Sequence, residues 1–154
     1  MTLEERLDAD LKDAMRSGDT VRKLAIRAVK TAVTEAKVAG TEAKSLSDAE
    51  VTAIIAKQVK QRRDSITEFA KGGRQDLIAQ EEAEIAVLEV YLPRQLSEAE
   101  IRERAQAVIA ELGVADMKGL GPVMKRLSTD LRGIADGQIV NRVVRDLLGG
   151  SVTR

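Results

Sequence analysis

Nucleophilic chemistry in this chain would have to come from serine, threonine or lysine, because its 154 residues include no cysteine and no histidine. That composition removes thiol redox chemistry, zinc sites built on thiolate or imidazole, and imidazole general-base catalysis. Gly149-Gly150-Ser151 has the small-residue look of an activated-serine turn. Its place at the carboxy terminus, after a helical segment, makes it a helix terminator and tail instead. Ser47 and Ser97 stand three residues before Glu50 and Glu100, which is the spacing of helix caps. Carboxylates such as Glu81, Glu82, Glu84 and Glu89 recur at helical spacing. No loop gathers the converging oxygens that a hard cation needs. Neither a catalytic constellation, a metal site nor a cofactor site is predicted.

Basic side chains beside glycines offer more specific chemistry. Lys118, Lys125, Arg126, Arg132, Arg142 and Arg145 lie near Gly119, Gly121, Gly133 and Gly137. Glycine removes side-chain bulk, so a phosphate or an RNA backbone could come close to helix-terminal N–H groups. The residues alone favour the other reading, in which the same glycines serve close helix packing and left-handed turns and the cations form a solvated face. Arg62, Arg63, Asp64 and Arg74 form a second polar cluster around a predicted turn. It is either a contact site or an ion-pair network joining that turn to the tail of the chain. On another helix, Lys23, Arg27, Lys30 and Lys37 share a face beside a stripe of Leu24, Ala28, Ala32 and Ala36.

The elements that must position these residues are legible from their punctuation. Thr2 with Glu5 opens a helix from Leu3 to Arg16, stopped by Gly18. Asp19 or Thr20 caps a second helix ending near Val38, with Gly40 as its left-handed terminator. Ser47 with Glu50 opens a long third helix to Lys71, where Gly72 and Gly73 break it. A fourth runs from Arg74 or Gln75 to Leu92, ended by Pro93. Ser97 with Glu100 opens a fifth, from Glu98 to Leu112, before Gly113. A sixth spans Asp116 or Gly119 to Leu131, and a seventh, capped by Asp136, spans Gly137 to Leu148. Segment 40–47 is predicted to be a loop and 149–154 a flexible tail. Apolar spacing places Val51, Ile55, Val59, Ile66 and Phe69 on one face, and Leu77, Ile85, Leu88 and Leu92 on another. The fold class is all-α: an N-terminal four-helix region over 1–92 and a three-helix tail module over 97–148.

Composition agrees. Apolar residues are 44%, drawn from Ala, Leu, Ile and Val, with one Tyr, one Phe and no Trp, and charged residues are 32%. Net charge is zero; residues 1–92 hold 15 basic and 17 acidic side chains, residues 93–154 hold 10 and 8. That excludes a protein that grips nucleic acid by bulk charge, so any RNA contact must be local. No DNA partner is expected. No apolar run approaches the ~20 residues that cross a bilayer, and the polar start lacks a secretory pattern. A cytoplasmic protein, with no membrane partner, is expected.

Three blocks carry a resemblance: residues 61–69 (QRRDSITEF) with 73–77 (GRQDL), residues 91–101 (YLPRQLSEAEI), and residues 116–127 (DMKGLGPVMKRL) with 131–137 (LRGIADG). In this order they resemble the GatB/YqeY family, on the side of the free-standing YqeY-like proteins. These are related to the tail domain of the B subunit of glutamine-dependent tRNA amidotransferases. The resemblance implies a module that docks on tRNA away from any active site. Lys125, Arg132 and the Gly133–Gly137 turn stand at the matching positions, with Gly119, Gly121 and Met124 before them. Arg132 replaces a lysine often found there, and Pro122 with the Gly119–Gly121 spacing departs from the family pattern. The large domain of the full B subunit has no counterpart in this sequence. The expected function is therefore a non-catalytic tRNA-binding accessory, with a tRNA-charging or amidotransferase component as a further partner. A protein–protein interaction module is the alternative. A carbon–nitrogen ligase using glutamine as amido donor is least supported, since no nucleophile assembly or nucleotide-phosphate loop is present.

Overall fold

Capping residues set where each helix starts. The computed structural model describes residues 1–149, and the predicted tail lies beyond them except for Gly149. Among these residues seven α-helices fall into two compact units, the first covering Met1–Leu92 and the second beginning at Pro93. The first holds α1 (Leu3–Ser17), α2 (Thr20–Lys37), α3 (Asp48–Lys71) and α4 (Gln75–Glu89). The second holds α5 (Glu98–Leu112), a 3₁₀ turn (Met117–Gly119), α6 (Leu120–Asp130) and α7 (Gly137–Leu148). Ser47 and Ser97 each accept from the backbone N–H three residues on, and Glu50 and Glu100 reach back to their N–H groups. Asp19 caps α2 and Asp136 caps α7 in the same sense.

Two ends differ from the sequence reading. Helix α4 stops at Glu89 rather than Leu92, because Tyr91 and Leu92 donate to Leu88 and Glu89 three residues back, tightening the chain before Pro93. Helix α2 ends at Lys37 without a left-handed residue; Gly40 lacks a positive φ, whereas Gly18, Gly73, Gly113 and Gly133 have one. Residues 41–47 carry no regular element.

Each unit closes its own aliphatic core. In the first, Leu7 of α1, Ile26, Val29 and Val33 of α2, Ile55 of α3 and Leu88 of α4 are buried together. The predicted alanine stripe is not the inward face of α2: Leu24 is 48% exposed, and Ala25, Ile26, Val29 and Val33 turn inward instead. The bulk of Ile26 and the two valines fills more volume than alanine methyls can, so they take the core side. In the second unit Ile101, Val123, Leu127, Val140 and Val144 form the centre. Each such side chain contributes roughly 1.5–3 kcal/mol on burial.

Gly119 fixes how α6 enters that core. A Cβ there would sit 2.7 and 2.8 Å from Cγ2 and Cβ of Val114, so no larger residue fits without displacing the valine. Gly119→Ala is expected to cost about 1–3 kcal/mol by overpacking, and adding Val114→Ala should recover part of that loss. Gly121→Ala, where a methyl meets nothing within 4 Å and φ is not positive, should leave stability unchanged or raise it. Chemical denaturation of the three variants measures this.

Candidate nucleic-acid interface

Which cations remain free is decided by where the folds place carboxylates. In the second unit Arg126 is held by Glu111 at 2.8 Å and Asp130 at 2.9 Å, and Arg142 pairs with Glu98. Their charge is largely cancelled at the surface. Arg145 bonds the side-chain oxygen of Asn141 at 2.7 Å and keeps its net charge. Lys118, Lys125 and Arg132 are exposed and have no ion-paired or side-chain hydrogen-bonded partner among the described residues.

These three recur every seven residues. Helix α6 carries Lys125, while Lys118 and Arg132 lie just before and just after it. Lys118 sits in the 3₁₀ turn and Arg132 one residue past the α6 C-cap Leu131, so the seven-residue spacing is one of sequence. Between Lys125 and Arg132, Thr129 spends its hydroxyl on the Lys125 carbonyl at 3.2 Å. Ser128 faces a shallow cavity of about 150 Å³ together with Arg132, Leu131 and Gly137.

The glycines of this region divide by role. Gly133 has φ 81°, a left-handed turn that side chains resist. The turn is held from the start of the unit: Leu96 N–H donates to the Ile134 carbonyl at 2.8 Å, and the Gln95 amide to the Gly133 carbonyl at 2.9 Å. Gly137 opens α7 with neither a positive φ nor a neighbour within 4 Å of an added methyl. Packing therefore explains Gly119 and backbone geometry explains Gly133. Neither explains Gly137.

The second predicted cluster is spoken for within the first unit. Arg62 donates to Glu84 at 3.1 Å and to both the carbonyl and the side chain of Gln58, with both ionic side chains little exposed. Arg63 pairs with Glu89 at 2.7 Å, Asp64 with Lys60 at 3.1 Å, and Arg74 with Asp76 at 2.9 Å. The Arg62 and Arg63 pairs tie α3 to α4. Beside them burial pushes the Glu81 carboxyl up, helped by Glu84 and opposed by Arg62. The basic face predicted on α2 also divides: Lys30 pairs with Asp8 and Lys37 with Glu4 at 2.6 Å, whereas Lys23 has no partner among the described residues and Arg27 meets only the sulfur of Met15.

Four helices followed by a three-helix module with a glycine turn define the class, a small all-α protein of two units. Within it the chain belongs to the Yqey-like protein family, whose model matches residues 4–148. That family is related to the carboxy-terminal tail domain of the amidotransferase B subunit. The chain is similar to proteins named "Altered inheritance of mitochondria protein 41, mitochondrial". The one from Pyrenophora tritici-repentis is 32% identical over 94% of this chain and 80% of its own length. That from Lachancea thermotolerans is 35% identical over 69% and 57%, and that from Kluyveromyces lactis 39% identical over 55% and 45%. The chain thus spans four-fifths of the first relative and about half of the other two. Their names overturn the expected cytoplasmic location and point to the mitochondrion. A polar start without a secretory pattern speaks only of secretion. No helix among the described residues is long and apolar enough to cross a membrane.

At the start of this module Arg94 grips Glu100 at 2.9 Å, and the Ser97 backbone N–H adds a second bond. Together they hold the Glu100 carboxyl at about 2, below its ordinary 4.5. A depressed folded-state value contributes stability above the unfolded value, and that contribution is lost as pH falls through the folded one. The stability of the protein should therefore decline between pH 4.5 and about 2, and Glu100→Gln should flatten that part of the profile. Denaturation midpoints across this window provide the check.

Proposed function

We propose that this protein is a non-catalytic accessory that binds tRNA through the ridge of Lys118, Lys125 and Arg132. The observation that carries the reading is that these three cations, one before, one on and one after α6, have no carboxylate partner among the described residues, while Arg126 and Arg142 are paired. Such cations suit a polyanion whose phosphates repeat along a backbone. Residues 93–154 contain no aromatic side chain, so bases cannot be gripped by stacking and recognition falls to backbone shape. Arg145, paired among the described residues with a neutral amide, and Gly137, open to approach at the start of α7, would widen the contact. The kinship with the amidotransferase tail domain supports the same reading and suggests a tRNA-charging or amidotransferase component as protein partner. The rival docking-module reading has less behind it. Large exposed apolar side chains are scattered over α1, α2, the end of α4, α5 and the 3₁₀ turn.

Lys125→Glu with Arg132→Glu should weaken tRNA binding about tenfold or more, leaving helicity and melting temperature near wild type. Charge reversal at Arg126, already neutralised, should weaken it less. Lys118, Lys125 and Arg132 should contribute about 2–3 to the log–log salt slope of wild-type affinity, for three phosphates. Anisotropy titrations with total tRNA, against a duplex DNA control, provide the measurement; a salt-independent affinity would remove phosphate contact as the mechanism.

A further inference from the structure

The first unit carries its own group of unpartnered cations. Lys12 and Arg16 stand one turn apart on α1, and Lys23 and Arg27 one turn apart on α2, the antiparallel helix joined to it through Gly18 and Asp19. Among the described residues none of the four has a carboxylate partner. The carboxylates that could have cancelled them are engaged elsewhere: Asp8 with Lys30, Asp13 with Arg22 at 2.8 Å, and Asp10 with Arg22 at 3.5 Å. Asp19 caps α2 by accepting from the Arg22 N–H. Met15 of α1 stands beside the two cations of α2. It is 52% exposed, its sulfur lies 3.9 Å from an Arg27 nitrogen, and it shares a shallow cavity of about 140 Å³ with Lys23, Thr20 and Asp19.

We propose that this face of the α1–α2 hairpin is a second RNA-binding surface, one that takes backbone phosphates on Lys12, Arg16, Lys23 and Arg27. The inference rests on the tRNA reading for the identity of the polyanion, but not on the ridge residues. Four charges two by two on adjacent helices give a patch rather than a line, and the unit that bears them is otherwise acidic. A local positive field in such a unit selects a dense anion at close range. An anionic membrane fits less well, because residues 1–40 contain no aromatic side chain to seat in an interface.

The test uses the full chain. Lys12→Ala, Arg16→Ala, Lys23→Ala and Arg27→Ala combined should weaken tRNA binding about fivefold or more and lower the log–log salt slope by 1 or more, as lost phosphate contacts require. Lys12→Arg with Lys23→Arg should retain wild-type affinity, which separates charge from packing, and circular dichroism should show unchanged helicity. Wild-type affinity and slope in the quadruple variant, alongside weakened binding by Lys125→Glu with Arg132→Glu, would overturn this proposal and leave the ridge reading intact. Absence of tRNA binding by the wild type would overturn both. Retention on phosphatidylserine vesicles that depends on the four residues, with tRNA affinity untouched by their loss, would overturn the RNA assignment in favour of a lipid surface.

Discussion

Closing two cores almost without aromatic rings is the constraint on which this protein depends. Leucine, isoleucine, valine and alanine must supply the buried area, so the helices have to approach closely and keep their register. Helix ends are therefore fixed by side chains rather than left to fray, as at Ser47, Ser97, Asp19 and Asp136. Gly119 against Val114 is the same demand at its sharpest. The one buried aromatic, Tyr91, is held as tightly as the aliphatic cores around it. Its hydroxyl donates to Asp10, the Arg6 guanidinium lies 4.7 Å over its ring, and burial with the neighbouring carboxylate pushes the phenol well above its ordinary value.

Ion pairs do a different job. Exposed pairs contribute little to stability, and most of those here are at least partly exposed. Their consequence is to erase charge locally. Equal numbers of acids and bases do not make a featureless surface when the acids are handed out unevenly. Glu111, Asp130 and Glu98 silence Arg126 and Arg142, and leave Lys118, Lys125 and Arg132 exposed to solvent. The Arg62–Glu84 pair is the exception: little exposed and sharing its guanidinium with Gln58, it belongs to the α3–α4 seam.

The fold class was legible because its signals are local. Capping pairs three residues apart, glycines past helix ends and apolar spacing need no knowledge of tertiary structure, and they place α3, α5 and α7 to within a residue. Where tertiary contacts decide, the sequence misled. Leu24 with Ala28, Ala32 and Ala36 has the right period for a face, but Ile26 and Val33 fill the core better. The charges failed for the same reason. Asp8 stands four residues before Lys12, and Asp13 three before Arg16, so spacing along α1 would pair them. The hairpin instead gives both carboxylates to α2. The ridge was visible as basic residues near glycines, and Asp130 four residues past Arg126 was a local sign that Arg126, unlike Lys125, would be paired; only the contribution of Glu111, from another helix, was out of reach.

The two hydrogen bonds from Gln95 and Leu96 to the turn at Gly133 and Ile134 have a practical meaning for anyone dissecting the chain. A fragment cut at Ser97, where α5 receives its cap, would keep all three helices but lose Leu96 from the edge of their core. It would lose the two donors that clamp the loop beneath Arg132, and that loop would be free to sample other shapes. A fragment beginning at Pro93 keeps the clamp. The natural seam for excision thus lies five residues before the first helix of the module, not at the helix itself.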